Sequence, residues 1–454
     1  MPWARTTTGV MDPLTATVVA LETAYPGTKS RSVILVSCDL RSISDNLRDA
    51  VRARLTEILP ELDTRCVVLN ATHTHNAPPL GTFGIQLEGM SEEEYVDFSA
   101  TRIAAAIGEA WRKRATGGIS YGLGQAVVGR NRLIADANST SRMYGPTNTQ
   151  EFSHVEGYED HSVNVLCTWN GKRELTGMVV NVAAPSQVSR RDTLISADYW
   201  HETREALREA LGPDLFVLAQ CSAAGDQDTN VLWDKTADER MLRLAGRNRR
   251  EEIAARLTQA ITTILPLVEQ EICWRPVLSH VVQILPLPRR MIRDDELARA
   301  LTDAKPHRET YERMMAELEA NPRLRQQVEW LHETTRAFWN AQRGRTVRER
   351  FELQKIEPDF PIEVHAVRLG DVAMITNPFE MFLDYGIRIK ACSPAVQTFV
   401  VQLAGGGPGG YLPTERSIAG GAYGAVPAST HVGPDGGRRL VDASLELLNT
   451  LWAD

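Results

Sequence analysis

The stretch "NATHTHNAPPL" (residues 70–80) sets His73 and His75 directly after the apolar run "RCVVLN", in a chain with 10 histidines among 454 residues. Alternate residues of a strand face the same way, so this spacing suits two imidazoles that converge on one ion or one proton. Two polar residues opening a loop would leave the same trace. Other reactive side chains also stand where strands should end. Asp39 closes "VILVSCD", Asp226 and Asp228 close "VLAQCSAAGDQD", and Glu380 follows "AMITNPF". In open α/β sheets the ligand crevice lies beyond the carboxyl ends of the strands, where such residues would meet. A single acid there is equally the cap of the next helix, and Asp39 is open to that reading. In "VGRNRL", Arg130 and Arg132 bracket Asn131; an arginine here can clamp a substrate carboxylate or phosphate, or pair with a neighbouring acid. The segment "LAGGGPGGYLPTERSIAGGAYG" (403–424) is rich in glycine, which lets backbone approach a ligand. Pro408 and the missing helix argue against a phosphate cradle. Tyr411 and Tyr423 flank this loop as phenolic acids or ligands, or as core-edge tyrosines.

Strands are predicted in "SVILVSCDL", "RCVVLNATH", "LTGMVVNVAA", "DLFVLAQCSAAGD", "DVAMITNPFEMF" and "TFVVQLAGGG", alternating with helical patterns such as "YWHETREALREALG". Ser91 and Glu94 form a capping-box signature for a helix over 91–114. The alternation predicts an α/β fold with a mixed central sheet, partly parallel, and flanking helices. The whole chain, 1–454, reads as one catalytic domain. Residues 293–356, charged and amphipathic with a break at "EANPRL", read as a helical hairpin inserted between "VVQILPLP" and "FPIEVHAVRLG".

A net charge of −8 without a Lys/Arg block gives no footprint for nucleic acid or an anionic membrane. The six cysteines lack CxxC spacing and read as reduced thiols of an intracellular protein. No apolar leader and no run of about 18 apolar residues is present, which predicts a soluble, cytoplasmic protein with no membrane insertion. A small-molecule substrate is expected; a homo-oligomer stays open.

The motifs "ATHTHNAPP", "LISADY", "AAGDQDTN", "NPFEMF" and "GGYLPT…GGAYG", with "GVMDPLTATVVALET" and "GRNRL", resemble in type and order those of the neutral/alkaline ceramidase family. The likeness spans about residues 9–445 and is greatest to short bacterial members without the C-terminal immunoglobulin-like domain. It implies a ceramidase-type α/β catalytic domain, a zinc ion and a hydrolysed amide. By the resemblance, His73, Glu380 and Tyr423 match metal ligands, and His75 matches a second histidine lining the site. Three positions depart. Ala184 stands where the family has its second histidine ligand, and Asp228 where it has its serine nucleophile. Residues 406–408, Gly-Gly-Pro, replace an Asn-Gly-Tyr turn. Three protein ligands is the count of a catalytic zinc with an open position, and Gln187, Asp198 or Asp228 could fill the gap. Manganese or magnesium would also accept an oxygen-rich set.

The resulting expectation is a metal-dependent hydrolase acting on an amide or related bond of a small polar substrate. In it Asp228 serves as base, ligand or nucleophile, His75 as proton shuttle, Asp226 as orienter of its turn, Tyr411 as acid, and Arg132 and Asn131 as substrate contacts. Two alternatives stay open: a metal-assisted lyase or isomerase with Asp228 or His75 as base, and a metal-free binding descendant.

Overall fold

The computed structural model describes residues 7–23, 30–80, 89–190, 192–407 and 409–453. The β-branched runs build three principal sheets, beside four small ones of two or three short strands among the described residues. The first contains β1 (Ala16–Thr23), β2 (Arg31–Cys38) and β3 (Val67–Ala71). The second contains β4 (Gly117–Gln125), β5 (Ser162–Asn170), β6 (Leu175–Val182) and β7 (Phe216–Cys221). The third contains β8 (Leu278–Pro288), β9 (Asp359–Leu369), β10 (Val372–Thr376) and β11 (Gln397–Val401). Each sheet ends in one parallel pair, β2/β3, β6/β7 and β10/β11, and its other pairings are antiparallel. Parallel neighbours need a crossover. Here these are three helices, α1 (Asp45–Ile58), α2 (Tyr199–Leu211) and α3 (Leu383–Cys392).

Side chains alternate along each strand, and the alternation divides the core. Val33 and Leu35 of β2, Val179 of β6 and Met374 of β10 join one buried cluster to which all three sheets contribute. Their neighbours Ile34 and Val36 pack with the residues of α1, Met178 and Val180 with those of α2, and Ala373 and Ile375 with those of α3. The mixed pairing expected from the sequence is thus present. It is spread over three sheets around a common core, because the inner face of each short sheet is covered only by the other two.

The carboxyl ends of the parallel strands are knitted together. Asn70 Nδ2 donates to Ala219 O at 3.1 Å and Asn181 Nδ2 to Val400 O at 2.9 Å. Ala71 N reaches Leu403 O at 3.1 Å, and Gly225 N reaches Met381 O at 2.7 Å. Gly405, Gly406, Gly407, Gly409 and Gly410 all take left-handed φ values between 67 and 111°. Only glycine adopts such a run without strain. Pro408, between them, lies outside the described residues.

Residues 293–356 contain helices Asp294–Ala320 and Val328–Leu353, with the break at Pro322–Gln326. Gly344 lets the two helices approach closely, since a Cβ there would stand 2.4 Å from that of Ala304. Four cysteines are buried as expected, but Cys273 and Cys392 are exposed. No helix among the described residues is long and apolar enough to cross a membrane.

Two buried carboxylates tie these layers. Asp39 receives Arg204 of α2 through two bonds of 2.7 and 3.0 Å, and Thr15 through its N–H and hydroxyl at 2.9 and 2.7 Å. It links sheet to helix and caps nothing. Asp39→Ala would leave Arg204 charged and unpaired in the interior, and should cost about 3–5 kcal/mol in urea unfolding. Glu363 receives Arg52 through bonds of 2.7 and 2.9 Å and His365 Nε2 at 2.9 Å. Burial alone would raise its pKa, but these partners outweigh it and hold the carboxyl at about 2. The lowered value stabilises the fold above the unfolded carboxyl's range, and this contribution is lost as pH falls from about 4.5 toward 2. Glu363→Gln should therefore be less stable than wild type at pH 6 and show a flatter acid limb, read as unfolding free energy at several pH values.

Candidate active site

β3 ends at Ala71, and His73 turns sharply with φ 68°, a left-handed conformation outside glycine. The strand alternation that suggested a converging pair is therefore broken. The backbone turn nonetheless brings the rings of His73 and His75 edge to face, centroids 4.9 Å apart. His73 Nδ1 lies 2.6 Å from Arg41 O. A carbonyl only accepts, so Nδ1 donates and Nε2 is directed to Glu380 Oε2 at 3.3 Å.

Glu380 is held by the loop after β10. Its N–H donates to Gly410 O at 2.9 Å, and Gly225 is pressed so closely beneath it that a Cβ would lie 2.2 Å from Glu380 O. Burial acts to raise the Glu380 carboxyl, but His73, then Arg132 and Arg41, outweigh it and bring it to about 2. Its Oε2 faces Arg132 Nη2 at 3.5 Å.

Arg132 is only 2% exposed. Its Nη1 donates to Tyr144 Oη at 2.6 Å, and its Nη2 to Gly225 O at 2.8 Å and Tyr411 Oη at 3.4 Å. Asp228 Oδ2 lies 3.8 Å from Nη1. Asp228 is buried and fully engaged. Its Oδ2 accepts from Tyr144 Oη and Arg190 Nη1, both at 2.5 Å, and its Oδ1 from Asn230 N at 2.9 Å and Nδ2 at 2.6 Å. Burial would raise its pKa, but Arg190, Arg132 and the Tyr144 hydroxyl reverse the shift and keep it ionised.

Gln187, considered above as a ligand, is instead oriented by Arg190. Arg190 Nη1 donates to its Oε1 at 3.4 Å, leaving Nε2 to donate to His75 Nε2 at 3.1 Å. His75 is thereby fixed with its proton on Nδ1. Burial, then the neighbouring His73, pushes its pKa well down, so it stays neutral near pH 7. Tyr411 keeps its proton, its pKa raised by burial and then by Glu380. Its ring lies 5.9 Å from that of Tyr423, which is 38% exposed.

The sequence-derived candidates thus fall into two groups. His73, His75, Glu380, Arg132, Asp228 and Tyr411 are joined by direct contacts, and Tyr423 adjoins Tyr411. Asn131 and Asp226 form the frame beneath. Asp226 Oδ2 accepts from Asn131 Nδ2 at 3.0 Å and Oδ1 from Leu383 N at 2.9 Å, holding the start of α3. Burial raises the Asp226 carboxyl to about 6. Asn131 also donates to Tyr158 O at 3.2 Å and accepts from Leu133 N at 2.9 Å, so its amide is consumed internally. Arg130 lies 3.9 Å from Glu159, away from the Arg132 contacts. Asp198 accepts from Val188, Ser189 and Tyr199 N–H groups and caps α2. Tyr144, Arg190 and Arg41 were not found from sequence. Tyr144 takes a left-handed φ of 66°.

A zinc ion of the kind the resemblance implies is not matched by these donors. Ala184 is buried and offers only its carbonyl, which accepts from Tyr199 Oη at 3.0 Å. His73 and Glu380 supply one edge of a coordination shell, and the Arg132 guanidinium stands against the same Glu380 oxygen. Among the described residues no three His, Cys, Asp or Glu side chains gather to hold a metal.

Two solved structures share the fold. A ceramidase complexed with C2 superposes with TM-score 0.67 at 16% identity, over 99% of this chain and 71% of the other. A neutral ceramidase from Pseudomonas aeruginosa gives 0.63 at 17% identity, over 96% and 69%. No protein-family model and no curated protein matches the chain significantly. The chain therefore has the neutral ceramidase fold.

Removal of the Asp228 carboxylate should be felt as lost stability, because it takes away the ion pair of Arg190 and one of the two carboxylates facing Arg132. Asp228→Ala is expected to lower unfolding free energy by about 3 kcal/mol or more in urea titration, with Asp228→Asn close behind.

Proposed function

We propose that this protein is a hydrolase acting on an amide or related bond of a small polar substrate, with water as the attacking group. The observation that carries the reading is one oxygen, Glu380 Oε2, in contact with both His73 Nε2 (3.3 Å) and Arg132 Nη2 (3.5 Å). This contact lies beyond the strand ends of a ceramidase fold. Tyr411 Oη accepts from Arg132, so its own hydrogen is left to point at a substrate carbonyl. Such a donor backed by a buried cation stabilises the oxyanion that forms when water adds, an effect worth about 2.7–4 kcal/mol per donor. The His73–Glu380 pair receives the proton released by water and returns it to the leaving amine. His75, neutral with hydrogen on Nδ1, is a second donor to the carbonyl or leaving group.

Asp228 takes a positioning role in this scheme. With every oxygen occupied, it holds Arg132, Arg190 and Tyr144 in place and does not itself attack. No step needs the metal, whose donor set is incomplete here.

The test is hydrolysis of short N-acyl amides in ¹⁸O water, with metal analysis of the same protein. Product carboxylate carrying ¹⁸O is expected. It should be abolished by Glu380→Gln and reduced about 10²–10³-fold by Tyr411→Phe, in protein without stoichiometric metal. Products lacking ¹⁸O would indicate a lyase, and binding without products a non-catalytic protein. Stoichiometric zinc lost in His73→Ala would restore the metallohydrolase.

A further inference from the structure

The site's arginines and tyrosines form a continuous stack that ends at the inserted hairpin. Arg190 lies over the ring of Tyr144 at 4.4 Å, and Arg132 lies between Tyr144 at 5.5 Å and Tyr411 at 5.7 Å. Tyr411 meets Tyr423 edge to face, and Arg343 lies over the Tyr423 ring at 5.0 Å. Arg343 belongs to the Val328–Leu353 helix, so the insertion closes a series that begins in the interior. Its placement is firm. Arg350, two turns on and on the same face of the helix, is 8% exposed and donates to Pro427 O at 2.5 Å and to Thr430 O. This docks the helix on the loop that follows Tyr423.

Charge distinguishes the ends of the stack. Arg190 is satisfied by Asp228, and Arg132 by Glu380 and Asp228. Arg343 has only the tyrosine face: among the described residues no carboxylate forms an ion pair with it. Arg41, whose charge acts on both Glu380 and His75, is exposed and likewise has no such partner. The positive charge around the site therefore exceeds what its carboxylates neutralise, and the excess lies at the rim.

We infer that Arg343 is a specificity-determining residue that binds an oxyanion, carboxylate or phosphate, on the substrate's part remote from the scissile bond. The tyrosine face fixes the plane of the guanidinium and leaves its fork of N–H donors for two-pronged bonding. This rests on the hydrolase reading for what is cleaved but not for what is bound. The substrate class becomes an acyl amide with an anionic end.

The experiment compares three compounds with one acyl group: N-hexanoylglycine, N-hexanoyl-phosphoethanolamine and the neutral N-hexanoylglycinamide. Binding is measured by calorimetry and turnover separately, for wild type, Arg343→Gln and Arg343→Lys. Wild type should bind at least one anionic compound about 10-fold or more tightly than the neutral one. Arg343→Gln should erase that preference by raising Kd and KM with kcat little changed, and Arg343→Lys should restore part of it. Preference for one anion over the other assigns carboxylate or phosphate. Equal binding of charged and neutral compounds, binding of none, or a preference that survives Arg343→Gln would overturn the inference. Preferential binding without turnover would leave it standing and sink the hydrolase reading instead.

Discussion

Arg132 carries a full charge into a place where almost no water reaches, and the site is arranged around satisfying it. An unpaired guanidinium there would cost several kcal/mol, so two carboxylates, two phenols and a carbonyl crowd about it. The same demand explains why Glu380 and Asp228 remain ionised despite burial. Burial keeps the protons on Tyr144 and Tyr411: Tyr144 spends its own on Asp228, while Tyr411 accepts from Arg132 and keeps its hydrogen to give. A fixed positive charge, with donors already oriented, can then meet a developing oxyanion with little rearrangement.

The three crossover units place these groups without any one of them holding the whole site. β3 delivers the histidines, β6 the segment carrying Gln187 and Arg190, β7 leads to Asp226 and Asp228, and β10 to Glu380. Because the strands share one core, a shift in any sheet is resisted by the other two. Backbone bonds between the strand ends set the spacing of loops that are distant in sequence. The left-handed glycines complete this by letting the chain pass from β11 to the backbone of Glu380.

Much of the architecture was legible in the sequence. Apolar β-branched runs marked the strands, Ser91 and Glu94 form the capping box they announced, and "EANPRL" marks the turn between the helices Asp294–Ala320 and Val328–Leu353. That the core strands divide into three principal sheets was not legible, since an apolar run reports which residues are buried but not against which sheet. At the site, histidines and acids at strand ends were visible because position and chemistry coincide there. Asn131 and Asp226 are also polar side chains in such positions, yet their hydrogen bonds are spent on the frame, which only contacts reveal. Tyr144, Arg190 and Arg343 sit in unremarkable segments and acquire meaning from one another through the ring stacking.

Asp228 also bears on which substitutions such a site can accept. A serine there, as in the family this sequence resembles, would have no charge to offer Arg190. With Arg190 in place, changing Asp228 to serine alone removes the only carboxylate paired with that arginine among the described residues. A histidine at position 184 would place an imidazole where a methyl group fits the packed interior. Positions 190 and 228 are therefore coupled: a neutral residue at 228 is tolerated best when the charge at 190 is removed with it.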